Sequence, residues 1–325
     1  MSQVKLDTKD KRILDALDRN PKITIPQLAR KVAISRQVAE YRINKLVEQK
    51  SIYSFYTLIN LGKLGYSCFR AHVKLKNISE EVCSKFAKKL FTEYPTMWVA
   101  FISGSFDLII DIFAKNIFEF EKLFSRIIEE NGEVIKDYQV LVITELSLYN
   151  YGYFTDEKDV RNKIVLYSKT EEKEIDEKDK KILDTIKNSA RESYEAIGRK
   201  INLTRNGVKS RVIKLQEKGI IAGYKPIINF SHFGKQSFKI FIKYNNSKIN
   251  QEKKLLEHLK AKEGILATLK LFGKWNLDIE IHVKDIKELQ QFIIGLRNKY
   301  EIIEDYEIIQ IIEDYGINFY PKSLS

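Results

Sequence analysis

Ten polar side chains lie on the predicted outward faces of two helices. Arginine, asparagine and glutamine can make paired hydrogen bonds to base edges, while lysine, serine and tyrosine can contact backbone phosphates. The helix predicted to begin after Ser35 presents Arg36, Gln37, Tyr41, Asn44 and Lys45. The helix predicted after Thr204 presents Arg205, Asn206, Lys209, Ser210 and Lys214. These residue types predict contacts with double-stranded DNA, although an ordinary solvated helix face would have a similar composition.

Each of these helices is the third in a predicted group of three. Asp7 and Asp10 occupy the N-cap and third positions of the first helix, and Asp176 and Asp179 repeat the arrangement. Carboxylates there accept hydrogen bonds from the free amides of a helix start. The second helices begin at Thr24 and Ser193. Because a tight turn joins each second helix to its third, both groups are predicted to be helix-turn-helix domains, in which the last helix enters the major groove.

The positive charge of the chain is concentrated in these two groups. The 325 residues have a net charge of +12. Between Leu6 and Gly65 there are 12 Lys and Arg against 6 Asp and Glu, and between Ile175 and Gly234 there are 13 against 7. The remainder is therefore neutral overall. Such clustering favours a polyanionic partner over a Lys-rich composition without a target.

The chain is an internal duplication. A shift of 169 places aligns residues 6–15 with residues 175–184, and it also aligns Arg36 with Arg205 and Gly104 with Gly273. The period is far longer than that of solenoid repeats, so each copy is a unit of several elements.

The second part of each unit alternates strands and helices. A strand predicted after each third helix, at 52–60 and at 220–229, leads into this part. In the first unit, strands are then predicted at 68–75, 97–103, 106–114 and 136–148, with helices at 79–94 and 116–131. The second unit repeats the order with strands at 238–244, 265–272, 275–283 and 304–313, and helices at 251–262 and 286–300. The order βαββαβ is typical of a ferredoxin-like fold. Its uncovered sheet face carries Ile109 and Phe113, which predicts packing against another sheet, either within the chain as a pseudo-dimer or in a homodimer.

The predicted fold class is α+β, with two tandem units that each pair a winged helix-turn-helix domain with a ferredoxin-like domain. The boundaries are 1–52 and 175–221 for the DNA-binding domains, 53–154 and 222–325 for the effector or oligomerisation domains, and 155–174 for a charged linker.

Several classes of protein are disfavoured by what the sequence lacks. No segment resembles a membrane span or a secretory signal, so a cytoplasmic protein is expected. Cys68 and Cys83 are too few for a disulfide framework or a structural zinc site. No metal-ligand spacing, nucleophile–base pair or phosphate loop is present, so neither a cofactor nor catalytic residues are expected. The four histidines, His72, His232, His258 and His282, fall at unrelated positions in the two units.

Several motifs resemble those of the leucine-responsive regulator/AsnC (Lrp/AsnC) family of archaeal and bacterial transcription regulators. They are Leu6-Asp7 with Asp10 and Ile13-Leu14, Ser35-Arg36 with Arg42-Ile43 and Leu46, and Gly219-Ile220-Ile221 with Gly223-Tyr224. The most specific is Ser103-Gly104-Ser105-Phe106-Asp107-Leu108. In the family this turn lies at a subunit interface and helps to bind an amino-acid effector. The resemblance therefore implies effector binding by Ser103, Gly104, Ser105 and Asp107.

The sequence departs from the family pattern at two places, and it leaves alternatives open. The second unit has Asn276 in place of the turn's Asp, and the first has Lys50 where a Gly usually follows the third helix. Arg42 and Arg211 could pair with Asp15 and Asp184 of the first helix or contact phosphate. The alternative functions are a haem-pathway decarboxylase-like enzyme on the same fold and a protein-interaction adaptor.

Overall fold

The computed structural model describes residues 6–76, 79–154 and 161–321. Its α+β fold has two units with the same order of elements. The first contains α1 (Thr8–Arg19), α2 (Ile25–Val32), α3 (Arg36–Glu48), β1 (Ile52–Ile59), β2 (Ser67–Leu75), α4 (Glu80–Glu93), β3 (Thr96–Ile102), β4 (Leu108–Ala114), α5 (Ile117–Asn131) and β5 (Ile135–Tyr149). After β6 (Lys163–Tyr167), the second contains α6 (Glu177–Ile186), α7 (Tyr194–Ile201), α8 (Arg205–Glu217), β7 (Ile221–Ile228), β8 (Gln236–Tyr244), α9 (Glu252–Ala261), β9 (Ile265–Phe272), β10 (Leu277–Val283), α10 (Ile286–Lys299) and β11 (Ile303–Ile317).

The helices of the two helix-turn-helix domains begin where the sequence supplies capping side chains. The Asp7 carboxylate accepts the Asp10 amide at 2.8 Å, and the Asp10 carboxylate accepts the Asp7 amide at 3.2 Å. Asp176 and Asp179 repeat this capping box. Such side chains satisfy amides that have no partner within the helix. The predicted N-caps are confirmed, and they are Asp7, Thr24, Ser35, Asp176, Ser193 and Thr204.

The two ferredoxin-like sheets join to form one closed ring of strands. Their orders are β5-β2-β4-β3 and β11-β8-β10-β9. Strand β3 pairs with β11 and strand β5 pairs with β9, so both edges of each sheet are covered by the other unit. Ile109 and Phe113 are buried inside this eight-stranded ring. The apolar sheet face that was predicted to pack against another sheet therefore packs against the sheet of the other unit in the same chain.

The two helix-turn-helix domains share a separate two-stranded ribbon. Strand β1 pairs antiparallel with β7, with Phe55 opposite Pro226 and Thr57 opposite Tyr224. Each strand follows the third helix of its domain and leads toward the sheet domain of the same unit. Its pairing partner in the ribbon comes from the other unit.

Apolar clusters fill the space between these layers. Helices α4 and α5 cover the outer face of the first sheet, and α9 and α10 cover that of the second. The cluster inside the ring continues into the second helix-turn-helix domain through Ile182 and Val212. Tyr151 and Phe154 join the core of the first. Within the described ranges, no helix is long and apolar enough to cross a membrane.

The segment predicted as a charged linker, residues 155–174, contains a strand. Strand β6 pairs antiparallel with the end of β5, and Leu166 and Tyr167 are buried in the ring core. The Glu171 amide also donates to the Gly62 carbonyl at 2.7 Å. Five residues are too few to show a clear alternating pattern among so many charged neighbours. The composition of the segment therefore did not indicate a strand. Residues 155–160 lie outside the described part of the chain.

Candidate nucleic-acid interface

Helices α3 and α8 are positioned by an apolar stripe on one side. Ala39, Ile43 and Leu46 are buried on α3, as are Val208, Val212 and Leu215 on α8. Tight turns after α2 and α7 hold these helices against the domain, and their left-handed residues are Ala33 and Asn202, both with φ near 56°. The opposite face of each helix consequently points to solvent.

The ten side chains predicted to contact DNA all lie on these solvent-facing sides. Each is exposed, and Tyr41 has 65% of its surface accessible. Within residues 6–76, 79–154 and 161–321, none of the ten side chains has a hydrogen-bond or ion-pair partner. Their donors are therefore available to an external acceptor. Their individual contacts with DNA stay predictions.

The neighbouring arginines have an internal role. Arg42 donates to the carboxylates of Asp7 and Asp10 at 2.8 and 2.7 Å. Arg211 contacts Asp176 and Asp179 in the same way, at 2.7 and 2.8 Å. The pairing with the first helix is thus present, but its partners are the capping residues. Asp15 instead pairs with Arg19 and Asp184 with Lys187. The sequence suggested Asp15 and Asp184 because they recur in both units, whereas the helix packing brings the arginines to the helix starts.

Direct contacts hold the two helix-turn-helix domains together. The Lys22 ammonium donates to the Ala190 carbonyl at 2.5 Å, and the Arg191 guanidinium donates to the Pro21 carbonyl at 2.6 Å. Burial, assisted by the nearby Arg191 charge, lowers the pKa of Lys22. The Ala190 amide completes the contact by donating to Phe55 of β1. These reciprocal contacts join the α1–α2 turn to the α6–α7 turn, and no pattern in the sequence predicts them.

A buried ion pair connects the first helix to the β1–β7 ribbon. The Asp18 carboxylate accepts the Tyr151 amide at 2.6 Å and lies 3.7 Å from the Lys225 ammonium of β7. Lys225 also donates to the Tyr149 carbonyl at 2.7 Å and lies over the Tyr151 ring. Burial raises the pKa of Asp18 and lowers that of Lys225. The orientation of the first helix is therefore fixed by groups from both units.

The turn predicted to bind an effector lies at the junction of the two units. The Ser103 amide donates to the Gln310 carbonyl at 3.0 Å, and the Gln310 amide donates to Ser103 Oγ at 2.9 Å. Gly104 has φ 116°, and a Cβ there would lie 3.1 Å from Ile309. Ser105 is exposed. The subunit interface that the resemblance implied is thus formed between units of one chain.

The acidic residue of that turn is engaged by its own unit. The Asp107 carboxylate accepts the Lys74 ammonium and the Leu75 amide, both at 2.8 Å. In the second unit, the Asn276 side chain accepts the Tyr244 amide at 2.9 Å. Both residues thus anchor the neighbouring strand through an acceptor oxygen. This shared role accounts for the exchange of Asp for Asn, which removes the charge and keeps the backbone contact.

The four histidines have separate environments. His72 lies inside the ring against Phe241, where burial and the nearby Arg70 charge lower its pKa to about 3. His282 contacts the Tyr153 hydroxyl at 3.2 Å, His232 contacts Ser51, and His258 contacts Lys299. Each side chain has different neighbours, so the four do not form one site.

Comparisons with domain families identify both helix-turn-helix segments. A model for winged helix-turn-helix DNA-binding domains matches residues 6–49, and a model for AsnC-type helix-turn-helix domains matches residues 175–216. An uncharacterised HTH-type transcriptional regulator of Pyrococcus furiosus is 31% identical over 127 residues, which are 39% of this chain and 82% of the relative. The HTH-type transcriptional regulator Ptr1 of Methanocaldococcus jannaschii is 31% identical over 119 residues, which are 37% of this chain and 79% of the relative.

A solved structure resembles the whole two-unit chain. It is that of the siroheme decarboxylase NirDL, with a TM-score of 0.62 over 96% of this chain and 92% of that one. The sequence identity is 13%. A likeness at this identity concerns the fold alone.

Proposed function

The chain belongs to the Lrp/AsnC family of helix-turn-helix transcription regulators, and we propose that this DNA-binding regulator recognises one non-palindromic site with both of its domains. The ten exposed side chains of α3 and α8 would make the contacts. The observation that carries the proposal is the pair of unlike recognition faces on one rigid assembly. Gln37 and Tyr41 of α3 correspond to Asn206 and Ser210 of α8, so the two half-sites need not match.

The fixed arrangement of the two domains supports a fixed spacing of half-sites. The β1–β7 ribbon, the Lys22 and Arg191 contacts and the Asp18–Lys225 pair together restrict rotation of one domain relative to the other. Half-sites read from the same face of DNA are separated by whole helical turns of about 10–10.5 base pairs. Inserting about five base pairs between them would turn one half-site to the opposite face.

Selection from a random pool of DNA duplexes tests this proposal. We expect one asymmetric consensus, whose affinity falls by orders of magnitude between roughly 50 and 200 mM salt because several phosphates are contacted. The selected site and a version with a five-base-pair insertion are then compared at one salt concentration. No binding to any duplex at low salt, or a flat salt response, would show that the protein does not use this surface for DNA.

We propose further that an amino-acid-like effector binds at the Ser103–Asp107 turn. An ammonium group buried there needs a carboxylate to offset its desolvation, and Asp107 can supply one where Asn276 cannot. Since Lys74 already contacts Asp107, the ligand would have to displace or share that ion pair. The effector would then change contacts between Ser103 and Gln310, which belong to different units.

A thermal-shift screen of the amino acids on the wild type and on Asp107→Asn tests the effector site. A ligand that prefers the folded state raises the melting temperature with its saturation. We expect at least one amino acid to stabilise the wild type and to lose this effect in the variant. If none stabilises the wild type, the turn is structural, and an equal response of the variant would place the site elsewhere.

We propose that the chain acts without catalysis, with 1–52 and 175–221 as DNA-binding domains and 53–154 and 222–325 as effector and association domains. The dispersed histidines support this proposal, because proton transfer on a bound tetrapyrrole requires convergent groups. The alternative rests on the decarboxylase-like fold. Adding siroheme to the purified protein and recording absorption spectra distinguishes them, since a shifted spectrum and a decarboxylated product would favour the enzyme.

A further inference from the structure

A cluster of charged side chains lies inside the strand ring. Arg70 of β2 and Lys239 of β8 occupy corresponding positions of the two units, and each is only 1% exposed. Arg70 donates to Asp111 at 2.6 and 2.7 Å, and Lys239 contacts Glu280 at 3.2 Å. Each cation therefore contacts the carboxylate at the corresponding position of its own sheet, Asp111 in the first unit and Glu280 in the second.

A third carboxylate connects the two sheets. Asp278, which is fully buried, accepts hydrogen bonds from Arg70 of the other unit and from Lys239 at 3.0 Å. The Trp98 ring lies against both cations, 4.8 Å from the Lys239 ammonium and 5.8 Å from the Arg70 guanidinium. Asp278 is thus the one carboxylate among these three that bridges the units.

The bridge is not duplicated. At the repeat shift of 169, Asp278 corresponds to Ile109 and Trp98 corresponds to Ala267, whereas Arg70 and Asp111 correspond to Lys239 and Glu280. Each inner sheet face consequently carries one of two complementary features. The first has the large ring and no bridging acid, and the second has the bridging acid and a small residue.

Pairing of like units would lose this complementarity. Two copies of the first face would bring two Arg70 and two Trp98 side chains together without a bridging carboxylate. Two copies of the second would place two lysines among four carboxylates, with Ala267 leaving the position of the ring empty. The first pairing would leave each Arg70 with Asp111 as its one carboxylate partner from this cluster, and the second would bury more carboxylates than cations beside an unfilled core volume. Both changes are unfavourable.

We propose that the Arg70–Asp278–Lys239 cluster makes each inner sheet face specific for the other unit, so that the ring forms only from one first and one second unit. The partner can be the unit in the same chain or that unit in a second copy. Duplication would otherwise leave two similar faces free to pair with themselves in a cell that contains many copies.

Exchange between cut full-length chains tests this specificity. A protease site introduced at residues 155–160 allows the folded protein to be cut between its units. Cut protein with a mass tag on the first unit is mixed with untagged cut protein, exposed to moderate urea and returned to buffer. Native mass spectrometry then counts the pairs. We expect first–second pairs to make up nearly all pairs of the parent protein, and Asp278→Ile to give a fraction of like pairs at least about tenfold higher than the parent's.

The double variant Ile109→Asp/Asp278→Ile is the matched control. It moves the bridging carboxylate to the corresponding position of the other sheet and should restore unlike pairing. Asp278→Asn preserves side-chain volume and carries the test if Asp278→Ile does not fold. Frequent like pairs in the parent, or parental distributions in Asp278→Ile and Asp278→Asn, would overturn the proposal.

Discussion

The residue two places after the end of the recognition helix, α3 or α8, has the same backbone conformation and a different side chain in the two domains. Lys50 has φ 55° and Gly219 has φ 71°. The preceding turns behave alike, since Ala33 and Asn202 both have φ near 56°. A left-handed conformation suits Gly and, to a lesser extent, Asn, but it is unfavourable for Lys and Ala. The packing of the three helices therefore imposes the conformation, and the residue determines only how much free energy this requires.

In the middle helices, α2 and α7, the residue type and the packing of the following turn differ together. Ala29 of α2 corresponds to Gly198 of α7, and both carbonyls accept an amide from the turn. A Cβ on Gly198 would lie 2.3 Å from the Leu203 carbonyl oxygen, which belongs to the backbone and cannot move easily. The second domain thus has a tighter turn than the first, and here the residue type and the local packing depend on each other.

Replacing Gly198 by Ala should produce the largest difference between the two domains. We expect a loss of about 3 kcal/mol in the free energy of unfolding, since the new methyl group clashes with backbone. The control, Ala29→Gly, should cost only about 0.5–1 kcal/mol through helix propensity. Urea unfolding monitored by circular dichroism measures both. Equal losses in the two variants would show that the turns are equivalent.

Removing one recognition arginine should affect one half-site. Arg36→Ala and Arg205→Ala are each expected to weaken binding by about 1–3 kcal/mol where the arginine reads a guanine, and to relax specificity in different halves of the site. Binding of single-base variants of the selected duplex maps the loss. A uniform loss on all DNA, random duplexes included, would indicate a phosphate contact.

The pH dependence of stability should separate His72 from its counterpart Phe241. Because the folded-state pKa of His72 is about 3, the unfolded chain binds a proton below about pH 6.5 that the folded chain does not. Stability from this group is therefore present at neutral pH and decreases as the pH falls through this window. Titration of His72 should lower the free energy of unfolding by up to about 1.4 kcal/mol for each pH unit below about 6.5. We expect His72→Phe to remove this contribution. Chemical unfolding at pH 5.5 and 6.5 measures it, and parallel pH profiles would contradict it.

Exchanging the residues that follow the recognition helices should have a smaller effect. Lys50→Gly relieves a left-handed lysine and is expected to stabilise the protein by about 1 kcal/mol. Gly219→Lys should destabilise it by a similar amount. Melting temperatures of the two variants and of the double exchange report the difference. Destabilisation by Lys50→Gly would mean that the lysine side chain makes a contact that outweighs its backbone strain.

Elements with local signals could be predicted closely from the sequence. Helices with a capping aspartate, serine or threonine begin where predicted, and alternation located the strands of both sheets. The pairing of strands between units could not be predicted in this way. Ile102 pairs with Ile311 and Val142 pairs with Phe272, and nothing in either local pattern specifies a partner so distant in the chain. The repeat indicated that two sheets exist, but not that their edges join.

The sequence predicted which side chains of the candidate interface are exposed, but it predicted less well which residues they contact. Periodicity alone identified the outward faces of α3 and α8. The partners of Arg42 depend on the angle between α1 and α3, which the sequence does not state. The sequence around Arg70 contains a further signal, because a charged residue on the inner face of an otherwise apolar strand requires a buried partner.

Closure of the strand ring also has a consequence for synthesis of the chain. Strand β3 is synthesised well before its partner β11, because about 200 residues separate the two strands in the chain. At roughly 5–20 residues per second, the interval for about 200 residues is roughly 10–40 s. During this time the nascent first unit presents the open edges of β3 and β5, which are templates for wrong pairing with neighbouring chains. Successful folding in the cell therefore depends on how these edges are shielded, by chaperones or by spacing of ribosomes, until their partner strands have been made.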